Sequence, residues 1–103
     1  MRLVIVESPY AGDVAANVAY ARECVLDCME RGESPFASHL FYTQVLDDNI
    51  FEQRLCGILA GLEWATKADA TVVYIDKGIT EGMRKGIDHA DLWKRPVEYR
   101  RLK

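Results

Sequence analysis

Short apolar runs that hand over directly to helical patterns restrict this 103-residue chain to few architectures. Leu3 to Val6 is a continuous apolar run with β-branched residues, the pattern of a strand covered on both faces. Asp13 fits a helix N-cap, and Val14, Val18, Ala21, Val25, Leu26 and Met29 then follow helical spacing until Arg31 and Gly32 give a stop signal. Pro35 to Ser38 reads as a brief second strand, followed by a polar, aromatic connection, HLFYTQVLDDN. A second helix is expected from Ile50 to Lys67, a third strand from Ala70 to Ile75, a third helix from Thr80 to Trp93, and a last strand in PVEYR. Strands alternating with helices imply parallel βαβ units. The expected fold is α/β: a small flavodoxin-like or Rossmann-like three-layer sandwich with a parallel sheet of four to five strands, one domain over residues 1–103.

Composition removes several function classes. Half the residues are hydrophobic and 28% are charged, a globular balance rather than a disordered one. A net charge of −3 and the lack of a basic cluster interleaved with aromatics argue against a nucleic acid polymer as partner. Arg95, Arg100, Arg101 and Lys103 read as a solvated basic terminus. No apolar stretch approaches the roughly 18 residues of a membrane span, and MRLVIVES lacks the features of a signal peptide, so no membrane partner and a cytoplasmic location are expected. Cys24, Cys28 and Cys56 read as buried small hydrophobes. His39 and His89 show no zinc spacing with them, so no metal and no cofactor are expected.

In an open parallel sheet, ligands bind beyond the carboxyl ends of the strands, where the strand order reverses. ESPYAGD occupies such an end. Ser8 and Tyr10 bring hydroxyls, Gly12 permits a tight turn or a close approach, and Pro9, Ala11 and Asp13 complete the loop ahead of a helix N-terminus. The alternative is that Pro9 and Gly12 only turn the chain and Asp13 only caps the helix. The second strand's connection of about 12 residues is long for so small a domain and brings His39, Tyr42 and Asp48 to the same edge. Phe41 and Tyr42 could stack on a base or simply plug the loop onto the core. IDKGITEGM, after the third strand, adds Asp76, Gly78, Thr80, Glu81 and Gly82.

The order of these pieces resembles the nucleoside 2-deoxyribosyltransferase-like superfamily, which includes the nucleotide N-glycosidases. The resemblance lies in GLEWATKADATVVYIDKGITEGMRKGIDHA, where Trp64, Ala68, Asp69, the strand to Ile75, Gly82, Met83 and Gly86 follow the family's order, and in SPYAGD, which is similar to its first substrate loop. It implies a flavodoxin-like fold that binds a nucleoside or nucleotide-like small molecule. It also implies N-glycosidic cleavage through a glycosyl ester on a Glu, assisted by a second carboxylate. The chain departs from that pattern twice: Arg84 stands where the nucleophilic Glu belongs, and Gly61 where the assisting Asp belongs. Arg84 beside Met83 suits a phosphate or carboxylate rather than an oxocarbenium ion, or pairs with Glu81 one turn away. The residues available as relocated catalytic carboxylates are Glu81, Glu7 and Asp76.

Three functions are thus open: a nucleotide-class binder that does not cleave, an N-glycosidase or deoxyribosyltransferase with a relocated carboxylate, and a non-catalytic interaction protein. Trp64, Trp93, Phe51 and Tyr99 are more aromatic surface than so small a sheet can bury, so a homo-oligomer, a homodimer in the simplest case, is expected under all three.

Overall fold

A computed structural model describes residues 1–103. The elements run β1 (Leu3–Glu7), α1 (Val14–Glu30), β2 (Ser34–Phe36), α2 (Ser38–Phe41), a 3-10 turn (Tyr42–Gln44), α3 (Phe51–Ala65), β3 (Ala70–Tyr74), α4 (Glu81–Leu92) and β4 (Val97–Arg100). The four strands form one parallel sheet in the order β2-β1-β3-β4. β1 pairs with both β2 and β3, and all five residues of β3 are buried. This is an α/β, flavodoxin-like three-layer sandwich.

The period-2 alternation of the strands divides the layers. Val4, Val6, Val72 and Tyr74 face α1, where Tyr20, Cys24 and Cys28 complete the larger core cluster. Val73 faces the opposite layer and packs on Met83 and Ile87 of α4. Ile5, Glu7 and Thr71 share that second face by the same alternation. Asp69, which precedes β3, accepts from the Leu3 amide at 2.8 Å, while its own amide donates to the Leu3 carbonyl. This Asp closes the seam where β1 and β3 begin.

Several local expectations change. β2 starts one residue earlier than expected and ends at Phe36, and Ser38 opens α2 instead of closing the strand. The first part of HLFYTQVLDDN, to Gln44, is a one-turn helix and a 3-10 turn, and only VLDDN remains a loop. The cause is tertiary: α2 lies directly on α3, where a Cβ at Gly61 would come within 2.6 Å of Ser38 Oγ. Cys24 and Cys28 are fully buried, but Cys56 is exposed because the inward face of α3 narrows to Gly61 and Ala65.

Arg95 and Arg100 do not belong to a solvated tail; each is 8% exposed. Arg100 makes a two-pronged contact with Glu33 at 2.8 Å per prong and another with Glu98 at 2.9 Å, and Arg2 reaches Glu98 at 2.7 Å. Glu81 and Arg84 form no ion pair: the protein's pairs involve Arg2, Arg31 and Arg100. No helix is long and apolar enough to cross a membrane.

Candidate functional site

The strand order reverses between β1 and β3, and a cleft of about 450 Å³ opens there. One wall is the loop after β1, with Ser8, Tyr10, Ala11 and Gly12; the facing wall is the first turns of α4, with Thr80, Glu81, Gly82, Met83, Lys85 and Gly86. Ser38 and His39 of α2, Asp48, and Arg54, Ile58, Gly61, Leu62 and Ala65 of α3 form the side. Ile5, Glu7 and Arg95 also line it, which carries the cleft down between the sheet and the α3–α4 layer.

The β1 loop is held from beneath. Gly12 has φ of 101°, a left-handed conformation that side chains with a Cβ adopt only under strain. Asn17, buried on α1, donates its side-chain amide to the carbonyls of both Tyr10 and Ala11 at 3.0 Å. Asp13 spends one carboxylate oxygen on the Ala16 amide, as a helix cap does. Across the cleft, Thr80 caps α4 by accepting from the Met83 amide at 3.2 Å.

Glu7 is the unusual group. It stands on an inward-facing position of a central strand, where an apolar side chain is the rule. α4 admits it only because residue 86 is glycine: a Cβ there would overlap the Glu7 carboxylate. Burial pushes its carboxyl up to about 8, with the Arg95 charge working in the other direction. A carboxyl that keeps its proton near neutrality can donate to a ligand or act as a general acid. His39 Nε2 lies 2.7 Å from Ser8 Oγ, and burial lowers the imidazole to about 4. So depressed, His39 is a weak base, and the pair is better suited to orienting a ligand than to activating Ser8 as a nucleophile.

Of the residues singled out from sequence, the cleft gathers Glu7, Ser8, Tyr10, Ala11, Gly12, His39, Asp48, Thr80, Glu81, Gly82 and Met83. Pro9, Asp13, Tyr42, Gly78 and Arg84 are not in its wall, and neither is Asp76. Arg84 is exposed on α4. Tyr42 packs edge-on against Phe36 and Phe41. Asp76 takes the Tyr20 hydroxyl at 2.6 Å and the Leu102 amide at 3.0 Å; the Tyr20 bond, then the backbone bond, hold its carboxyl below the usual carboxylate range. Its lone pairs are committed to structure. The sequence reading missed Asn17, Ser38, Arg54, Lys85 and Arg95. A polar residue on the apolar face of a helix was the available signal for Asn17; for Arg95 there was none, because its place depends on a turn at Lys94, a non-glycine residue with φ of 57°.

The fold around this cleft is the one seen in a solved 2-deoxyribosyltransferase from the psychrotolerant bacterium Bacillus psychrosaccharolyticus. The TM-score is 0.74 at 16% identity, covering 96% of this chain and 72% of that one. In sequence, residues 2–100 match the family described as a domain of unknown function, DUF7768, and the chain belongs to that family. No curated protein sequence matches it.

Proposed function

We propose that this protein binds a nucleoside or nucleotide-derived small molecule in the cleft at the β1–β3 reversal. The observation that carries the reading is the cleft itself: about 450 Å³, at the strand reversal, with hydroxyls, carboxylates and a neutral imidazole among its walls. The shared fold supports the choice of ligand class, since the solved relative is described as a biocatalyst for the synthesis of antiviral and antitumoral nucleosides. On this reading residues 1–103 are one domain, a divergent form of the deoxyribosyltransferase-like superfamily with Arg84 at the nucleophile position. Ser8 and His39 hold a sugar hydroxyl or phosphate, Tyr10 packs on sugar or base, and Gly12 lets the ligand approach the backbone. Asp48 and Thr80 close the rim.

A second reading is favoured by one observation, the raised carboxyl of Glu7 inside the cleft. There the protein hydrolyses an N-glycosidic bond: Glu7 gives its proton to the departing base, Glu81, on the facing wall, is the carboxylate available to stabilise the developing charge at C1′, and a water adds to C1′ and returns a proton to Glu7. The exposed Phe51, Leu55, Leu59 and Trp64 of α3 fit pairing with a second copy of the chain, so a homo-oligomer is proposed with either reading.

Incubation with nucleosides, deoxynucleotides and NAD-related ribosyl compounds, following free base by chromatography and thermal shift together, separates the two. A thermal shift without base release is the expected result; base release that Glu7→Gln abolishes establishes the second reading. Gly12→Val should remove the shift while the protein stays folded, because nothing lies within 4 Å of a Cβ there and the strain falls on the loop's backbone. Neither shift nor release across the panel removes the nucleoside proposal.

A further inference from the structure

The two buried arginines are held in opposite ways. Arg100 faces two carboxylates at 2.8–2.9 Å. Arg95, equally buried, faces none within ion-pair distance. Its partners are neutral: Thr71 Oγ1 at 2.9 Å, the Ala65 carbonyl at 2.9 Å and His89 Nδ1 at 3.0 Å. His89 lies below its ordinary pKa through burial and then through Arg95 itself, so its Nδ1 is an acceptor and not a second cation. A guanidinium has five N–H donors. Three are spent, one from Nε and one from each Nη nitrogen, leaving one N–H on each Nη.

A structural brace alone accounts for part of this. The bond to Ala65 satisfies a carbonyl at the C-terminus of α3, where cations are favoured. It does not account for a buried guanidinium at the lining of a cavity with no carboxylate within ion-pair distance and Glu7 the carboxyl whose field reaches it, an arrangement that is costly unless something pairs with it. The turn at Lys94, fixed by the Arg95 amide donating to the Ala90 carbonyl at 2.8 Å, brings Arg95 back under α4.

We infer that the deep end of the cleft is an oxyanion subsite, where a ligand phosphate or carboxylate accepts the two unspent Nη N–H groups of Arg95. The inference rests on the cleft being the ligand site proposed above, and it places the anionic group at Arg95 rather than at Arg84. A planar carboxylate or one edge of a phosphate offers two acceptor oxygens, one for an N–H from each Nη nitrogen.

The other groups set its pH dependence. Facing the cleft are Glu7 from β1, His39 from α2, Asp48, Arg54 from α3, Glu81 and Lys85 from α4, and Arg95, with His89 of α4 on the far side of Arg95. With Glu7 protonated and His39 neutral, the charged groups are Arg54, Lys85 and Arg95 against Asp48 and Glu81, an excess of one positive charge. As Glu7 ionises near pH 8 it supplies the missing negative charge itself and repels the ligand's. Anion binding should therefore be about tenfold weaker at pH 9 than at pH 7.

The test is saturable binding of sulfate and of acetate, by calorimetry and thermal shift at constant ionic strength in chloride. Both ions keep their charge from pH 6.5 to 9; sulfate reports the phosphate geometry and acetate the carboxylate. Saturable binding of either that weakens toward pH 9, is lost in Arg95→Gln and becomes independent of pH in Glu7→Gln is the expected result. Should Arg95→Gln not fold, the Glu7→Gln profile decides. No saturable binding, binding that survives in folded Arg95→Gln, binding lost in Arg84→Ala instead, or a pH profile unchanged in Glu7→Gln overturns the inference. Uncharged nucleosides test the functional reading separately. If they bind while neither ion does, only the subsite fails; if Arg95-dependent ion binding occurs without any nucleoside or nucleotide binding, only the nucleoside reading fails.

Discussion

Glu7 keeps its proton to about pH 8 and His39 loses its own near pH 4, and these two displacements act on folding stability with opposite signs. Unfolded, the groups titrate at 4.5 and 6.5. From pH 4.5 to 8 the folded protein retains a proton on Glu7 that the unfolded chain has released, so stability falls as pH rises. From pH 4 to 6.5 the unfolded chain holds a proton on His39 that the folded protein lacks, so stability rises with pH. The slopes oppose each other up to pH 6.5, and the Glu7 loss stands alone above it, at no more than roughly 1.4 kcal/mol per pH unit. His89, also held below its ordinary range, adds to the rise below pH 6.5, so urea denaturation from pH 5 to 8.5 should show stability level or rising to about pH 6.5 and then a decline. Glu7→Gln should remove the decline, and His39→Asn should flatten or reverse the rise below pH 6.5. A decline above pH 6.5 that persists in Glu7→Gln would show that another group causes it. At this scale the sequence was legible where a residue acts locally: Asp13 caps the helix that follows it, and Gly12 turns the loop before it. It was not legible where the partner is remote, as with Asp76 and the Leu102 amide, or Asn17 beneath Tyr10.

At the scale of elements, glycine decides which layers can touch. Gly86 lets a charged-type side chain rise from β1 into the base of α4, and Gly61 lets α2 sit on α3 through Ser38. An Asp at position 61, the residue that the resemblance implies, would have to displace Ser38 and with it the first turn of α2. Gly61→Ala should cost about 1–3 kcal/mol in chemical denaturation. Adding Ser38→Gly should restore most of that loss, and a double variant no more stable than the single would place the conflict elsewhere. The alternation of strands and helices was readable because each period is carried by side chains inside one element. The short α2 was not, since its four residues are too few to carry an amphipathic period and its helix packs on a neighbour contributed from α3. The connection's length and its aromatic content pointed to the right region with the wrong conformation.

For the whole molecule, Arg100 joins distant parts of the chain. Its contacts tie β4 to Glu33 just ahead of β2, and through Glu98 to Arg2 before β1, while its guanidinium also donates to Tyr74 at 3.4 Å. Arg100→Met leaves the nearly buried Glu33 carboxylate with only the longer, 3.4 Å contact of the half-exposed Arg2 and should cost about 3 kcal/mol by urea denaturation. Arg101→Met, one residue on and exposed, should change stability by less than about 0.5 kcal/mol. The sheet order has a bearing on how the chain acquires its fold. β1 is made well before β3, yet it lies inside the sheet with β3 on one side, and the Leu3–Asp69 bonds that align them join residues 66 apart in sequence. A ribosome releasing this polypeptide exposes an apolar strand whose second partner has yet to be synthesised. Such dependence on distant contacts slows folding, and it leaves the apolar β1 with an open, aggregation-prone edge until β3 has been made.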